Sequence, residues 1–300
     1  MRAEDRHDLP RAVPAIQIRQ AKPHRALASI VTSFGERRAD FQSLQIIRSL
    51  NARPDQFIEF YFQEPYRVRE NGAAFSPTPT SVVVGVTSVP GKDLGFVGQI
   101  ETFTIRFQPT GLARLFGLPM TELVDQGLSL DDVLPRQTAS LAKALAQAQG
   151  FDERVLIAQS WLEACLAGAR AYDEMDHIAR LLAKAAGGVS VAHLADRAGF
   201  SARHLQRRFL RDVGVTPKFY ARLTRFDAAL SRRTANPLMT WAQIAAAAGY
   251  ADEAHLSREA HALCGMTPER FATRLEAITT VSAIGPNMSD LFKYGSTFPR

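Results

Sequence analysis

Leu194-Ala195-Asp196-Arg197-Ala198-Gly199-Phe200 and Ile244-Ala245-Ala246-Ala247-Ala248-Gly249-Tyr250 are two copies of one pattern, offset by 50 residues. Past the turn the offset becomes 51: Leu205 matches Leu256, Arg207 matches Arg258, Gly214 matches Gly265, and Thr216-Pro217 with Tyr220 matches Thr267-Pro268 with Phe271. Each copy reads as helix, tight turn, helix. The glycine supplies a positive φ at the reversal, and the alanine before it (Ala198, Ala248) lets two helices cross closely. The aromatic that follows, Phe200 or Tyr250, is placed to plug the gap between them. Ser201 and Asp252 are natural N-caps for the second helices, expected over residues 202–213 and 253–264.

Between the copies, Phe219, Leu223, Phe226 and Leu230 recur at helical spacing, so a helix is expected from Pro217 to about Arg233. A rigid connector of this kind holds two modules at a set separation, which reading two turns of one duplex requires, since successive major-groove windows lie roughly 34 Å apart. The first second-helix is expected to bury Leu205, Phe209 and Leu210 and to present Arg203, Gln206 and Arg207, with His204 beside them. Arg reads guanine and Gln reads adenine through paired hydrogen bonds, so this face suits base edges. Arg208 and Arg211 suit phosphates, as does the hydroxyl of Ser201. The second unit offers Glu253, Ala254, His255, Ser257 and Arg258. Its Glu253 best fits the helix dipole, though it has the chemistry to accept from cytosine, and His255 or Arg258 supplies one base or backbone contact. A lone Arg on a helix is ordinarily just a solvated surface residue; clustering on one exposed face is what makes these candidates.

These strings, LADRAGFSARHLQRRF…GVTPKFYARL and IAAAAGYADEAHLSRE…GMTPERFA, resemble the AraC/XylS family of transcription regulators over residues 176–275. The resemblance implies two helix-turn-helix units joined by a long helix, with Arg203, Gln206 and Arg207 at base-facing positions of the first recognition helix and Glu253, Ala254 and His255 at those of the second. It also implies double-stranded promoter DNA and RNA polymerase as partners. Ala260 stands where the family usually has a packing aromatic, and Ala272 where an Arg commonly follows one, so looser docking of the second unit is expected.

Charge distribution agrees. Of the net +6, residues 176–275 carry 15 Lys/Arg against 8 Asp/Glu, a net of +7, and the remainder carries 21 against 22, a net of −1.

Before this segment the pattern changes to a period of two. Phe57 to Phe62, Ser81 to Val86 and Glu101 to Gln108 read as strands. In the last, Phe103, Ile105 and Phe107 point to one side and Thr102, Thr104 and Arg106 to the other, as in a sheet covered on one face only. Helices follow near 111–116, 138–149 and 152–169. The stripe Val155, Ile157, Ala158, Trp161, Leu162 and Cys165 is first a packing face, with self-association as the minority reading. The expected architecture is α+β: a flexible tail (1–24), a β-rich sensing or assembly domain with C-terminal helices (25–172), an all-α double helix-turn-helix domain (173–277) and a C-terminal tail (278–300). By analogy with the family, and through the phrase Arg106-Phe107-Gln108-Pro109-Thr110-Gly111, the N-terminal domain is expected to hold a small-molecule effector or to form a homodimer.

Other classes have little to stand on. No apolar run is long enough to span a bilayer and no secretory leader is readable, so a cytoplasmic protein is expected. Cys165 and Cys264 have no metal-ligand spacing and read as reduced thiols. No metal, cofactor or catalytic residue is assigned: Gly91-Lys92 follows Gly85 one residue too late for a phosphate loop, and His24 is the only histidine between His7 and His177. An enzyme or ligand-binding protein with a DNA-targeting module, and an architectural DNA-binding protein without sequence preference, remain the alternatives.

Overall fold

The computed structural model describes residues 16–273, the side chains of residues 136 and 137 excepted. The proposed C-terminal tail and residues 1–15 of the proposed N-terminal tail lie outside the described residues.

Among the described residues the N-terminal domain has ten strands: β1 (Gln17–Ala21), β2 (Val31–Asp40), β3 (Ile46–Ser49), β4 (Phe57–Tyr61), β5 (Arg67–Glu70), β6 (Ser76–Pro77), β7 (Ser81–Val84), β8 (Lys92–Phe96), β9 (Gln99–Phe107) and β10 (Gly127–Ser129). They pair antiparallel into a six-stranded sheet, in the order β1-β2-β9-β4-β7-β10, and a four-stranded sheet, β3-β8-β5-β6. Because β1 pairs with β2 along its whole length, residues 17–21 are sheet, where a flexible tail to residue 24 is expected from the sequence. Arg19 adds an ion pair to Asp152 at 2.9 Å.

Four helices, α1 (Gly111–Phe116), α2 (Leu130–Val133), α3 (Pro135–Gln147) and α4 (Phe151–Cys165), lie on one face of the larger sheet. Phe34, Ile58, Phe60, Phe103 and Ile105 meet Leu112, Leu145, Phe151, Val155, Ala158 and Leu162 there in one dry cluster. The α4 stripe is therefore a core face, with Ile157, Trp161 and Cys165 packed against the same cluster. Arg154 enters this layer and is compensated twice, by Glu36 at 2.8 Å and Glu101 at 2.6 Å.

The opposite face corrects the expectation of a one-sided sheet. Thr102 and Thr104 are as buried as Phe103, because the smaller sheet covers them. Alternation survives at such a place only if the inward polar groups are satisfied. Arg37 is paired with Glu59, whose carboxylate also accepts from Tyr61 Oη at 2.9 Å and Thr104 Oγ1 at 2.7 Å. Between the sheets is a cavity of about 430 Å³.

The C-terminal domain is helical: α5 (Glu174–Lys184), α6 (Val191–Arg197), α7 (Ala202–Val213), α8 (Pro217–Ala235), α9 (Trp241–Ala247) and α10 (Glu253–Cys264). Asp173 caps α5 in a reciprocal capping box with Asp176, which fixes the domain junction where the composition shifts. The two domains pack closely. Gly214, at φ +95°, brings the end of α7 so near a 3-10 turn at Met120–Leu123 that a Cβ there would stand 2.6 Å from the Met120 carbonyl oxygen.

Two half-buried carboxyls face each other's charge across this boundary, Asp55 from the sheet domain and Asp227 from α8. Arg53, Arg106 and the Tyr220 hydroxyl complete the cluster. Burial raises Asp55 to about 6 and Asp227 well above its ordinary value, while the two arginines oppose the rise. Carboxyls raised in the folded state hold protons there that the unfolded chain has released, so the stability they contribute is present at acid pH and lost as pH rises through about 6. The unfolding midpoint of the full chain should accordingly gain from lowering pH from 7.5 toward 6. In Asp55→Asn that gain should shrink, a difference read by thermal denaturation across a pH series.

Candidate nucleic-acid interface

Both units form as the repeat requires. Gly199 and Gly249 adopt φ of +67° and +74°. Ser201 Oγ accepts from the His204 backbone N–H at 3.2 Å, and Asp252 Oδ1 from that of His255 at 2.6 Å. Leu205 and Phe209 on α7, and Leu256 and Leu263 on α10, join a common core with Leu223 and Phe226 of α8. The connector extends to Ala235, and its 19 residues span about 28 Å at 1.5 Å per residue.

On α7 the geometry brings Arg203, Gln206 and Arg207 together on one exposed face, together with the exposed cap Ser201. Leu210, expected inside, is instead 38% exposed on the outer side, and Asp212 takes a buried place. His204 is half-buried with its ring 4.9 Å from that of Phe200; His255 stands likewise 5.2 Å from Tyr250. These two imidazoles brace the plug aromatics as well as bordering the outer face. Glu253 and Arg258 are exposed on α10, with Glu253 in the first turn, where its charge suits the helix dipole.

The arginines assigned to phosphate differ from one another. Arg208 donates to Asp173 at 2.7 Å and approaches Asp212 at 3.5 Å, so its guanidinium is engaged within the protein rather than turned to a phosphate. Arg211 donates to the neighbouring Asp212 at 2.7 Å, yet 60% of its side chain remains exposed. Asp173 and Asp176 also bind Arg170, and Asp176 lies 3.6 Å from Arg114 of α1. One network thus ties the recognition helix to the junction and to the sheet domain. The Arg208 and Arg170 guanidinium groups hold the Asp173 carboxyl below its ordinary range despite partial burial. The cap is local to Asp173-Asp176, whereas the use of Asp173 as an anchor for Arg208 depends on tertiary contact.

The second unit is closed by packing and by polar contacts between its helices. Ala260 is fully buried, and Phe271 and Ala272 nearly so. An ion pair from Arg222 of α8 to Glu259 of α10, with Nε 3.2 Å from both carboxylate oxygens and Nη2 3.0 Å from Oε1, fixes the helix that lacks an aromatic. Trp241 Nε1 adds a bond to Glu269 at 2.5 Å.

Among the described residues no group of three or more His, Cys, Asp or Glu could hold a metal ion, and no helix is long and apolar enough to cross a membrane. Both cysteines are free thiols.

Residues 194–274 match the family described as a helix-turn-helix domain, and residues 19–129 match a domain of unknown function, DUF6597. No curated protein matches the chain. It is similar to solved structures of ToxT from Vibrio cholerae, one at 11% identity over 87% of this chain and 98% of that one (TM-score 0.43). A second, from strain O395, is 10% identical over 90% and 99% (TM-score 0.45). The AraC-like transcriptional activator CuxR is similar at 11% identity over 69% and 84% (TM-score 0.26).

Arg207→Ala should cost about 1 to 3 kcal/mol on a preferred site and relax selectivity at one base pair, while Arg211→Ala should weaken all duplexes alike and lower the salt slope by roughly one. Anisotropy titrations on specific and random duplexes separate the two. Asp173→Asn keeps a good N-cap and releases Arg208 from its partner. Its affinity for any duplex should rise, with a steeper salt dependence measured in the same assay.

Proposed function

We propose that the chain is a transcription regulator of the AraC/XylS type, which binds promoter DNA sequence-specifically through both helix-turn-helix units under control of a small molecule held in its N-terminal domain. The observation that carries the reading is the exposed Arg203, Gln206 and Arg207 face on α7, set on a unit that α8 joins to a second one like it. Bidentate donors on one side of a helix fit base edges, and the connector's length suits adjacent windows of one duplex face.

In this reading α7 carries most of the base readout through Arg203, Gln206 and Arg207, with His204 bordering it. The α10 unit contributes Glu253, His255 and Arg258. Ser201 and Arg211 contact phosphate at once, and Arg208 joins them when Asp173 lets it go. The effector site is the cavity between the two sheets, walled by Phe57, Tyr61, Tyr66 and Phe96 together with charged side chains. A concave, partly apolar space with polar groups placed to orient a ligand is the ordinary form of a small-molecule site. Bound at a promoter, the protein works beside RNA polymerase in the cytoplasm, and we assign it no catalytic step. Any homodimer uses a surface other than the α4 stripe, which its own core consumes.

An architectural protein would bind without preference. In competition titrations at fixed salt, the full chain should prefer fragments from its own promoters over random duplex by several kcal/mol. Equal affinity for both would leave the architectural reading in its place.

A further inference from the structure

Asn51–Gln56, the segment between β3 and β4, has the cavity on one side and the DNA-binding domain on the other. Leu50, Arg53 and Phe57 contribute to the cavity wall. The backbone of Arg53 is fixed there by a two-way bridge: its N–H donates to the Thr87 carbonyl at 2.8 Å, and the Thr87 N–H donates back at 3.1 Å.

The residues flanking Arg53 reach the other way. The Ala52 N–H donates to the carbonyl of Leu263, near the C-terminal end of α10, at 2.7 Å. Gln56 Nε2 donates to the carbonyl of Val213, the last residue of α7, at 3.2 Å. Ala52 is itself part of the apolar core of the DNA-binding domain. Six consecutive residues therefore touch the cavity and hold both recognition helices by their last turns, where helix carbonyls lack partners of their own.

The charge of Arg53 links a third element. It lines the cavity, lies 5.4 Å over the Phe57 ring, and favours the ionised forms of Asp55 and of Asp227 on the connector α8. Of the cationic side chains that line the cavity, Arg37 is paired with Glu59, Arg69 with Asp93 and Lys92 with Glu70, while Arg53 stands over the apolar ring of Phe57. A cation set against an aromatic wall suits an anion with an apolar body.

We propose that Asn51–Gln56 is the coupling strap of this regulator: an anionic, apolar-bodied ligand seated against Arg53 moves that residue and the backbone bridged to Thr87, and so shifts the attachments that hold α7 and α10. The inference rests on the regulator reading above and names how its cavity would act. A ligand changes DNA binding only through unequal affinity for two arrangements, and the strap gives cavity and DNA-binding helices the same moving part. Linkage then requires reciprocity: DNA must change ligand affinity by the factor by which ligand changes DNA affinity.

The test uses the full chain, anilinonaphthalene sulfonate as the anionic probe and a random-sequence duplex at low salt. Saturating duplex should shift the probe's Kd by about fivefold or more in the unaltered protein, and saturating probe should shift the duplex Kd by the same factor. Gln56→Leu removes one attachment without altering a cavity-lining side chain, so it should keep probe affinity while the shift falls below about twofold. Arg53→Gln should weaken the probe itself. Failure of the probe to bind, equal probe affinity in Arg53→Gln, no shift despite bound duplex, or an undiminished shift in Gln56→Leu would each overturn the strap. Failure of the unaltered chain to retain duplex at all would instead sink the regulator reading.

Discussion

One helix, Pro217–Ala235, has to pack against both helix-turn-helix units at once within their shared core, and the C-terminal domain depends on its doing so. A surface helix of this length ordinarily buries a single stripe. Here Pro217, Tyr220, Ala221, Leu223, Thr224, Phe226 and Ala229 are all buried, distributed around more than one face. Tyr220 packs edge-on against Phe209 of the first unit, and Arg222 on another side grips Glu259 of the second. Because the same rigid rod completes both units, their relative placement is set by packing rather than by a loop. Asp227 on that rod then places the sheet domain's charges against the element that spaces the two DNA-binding modules.

The repeat made this domain legible because its determinants are local. A glycine that must adopt positive φ, a small residue at a helix crossing and a capping side chain are properties of a few adjacent positions. The boundaries of α7 and α10 follow directly from Ser201 and Asp252. Side-chain partners are another matter. Arg208 on α7 looked like a phosphate ligand because its partner Asp173 lies 35 positions away. Leu210 is exposed rather than buried, while Asp212 is buried with Arg208 and Arg211 beside it.

In the sheet domain, strands β4, β7 and β9 were readable from alternation, but alternation reports only that two faces differ. It does not report what covers the second one. The Thr102 and Thr104 face is polar and still buried, because Arg37 and Glu59 supply partners from neighbouring strands. Nor could β1 be read from its composition: Gln17-Ile18-Arg19-Gln20-Ala21 has a single large apolar residue and becomes a strand because the edge of β2 offers it a ladder.

The division between what was and was not readable has a functional sense. Base-facing groups must be exposed to work, so a one-dimensional pattern finds them: Arg203, Gln206 and Arg207 need only a helix and a face. Control requires the opposite arrangement. A group that relays occupancy from one site to another must be committed to partners in both, and such commitments join residues far apart in sequence. Asp173, which holds Arg208 from α7 and Arg170 from the junction, is of this kind. Gln56, which reaches Val213, is another, and neither residue type is conspicuous in its local context. The charged network around Asp173 bears on the affinity of one recognition helix, whereas the contacts of residues 52–56 bear on both helices at once. Ion pairs that are half-exposed, as Arg208 is, weaken with salt and compete directly with phosphate. The backbone bond from Ala52 to Leu263 does neither, so of the two sets of contacts it is the one suited to persist while DNA is bound.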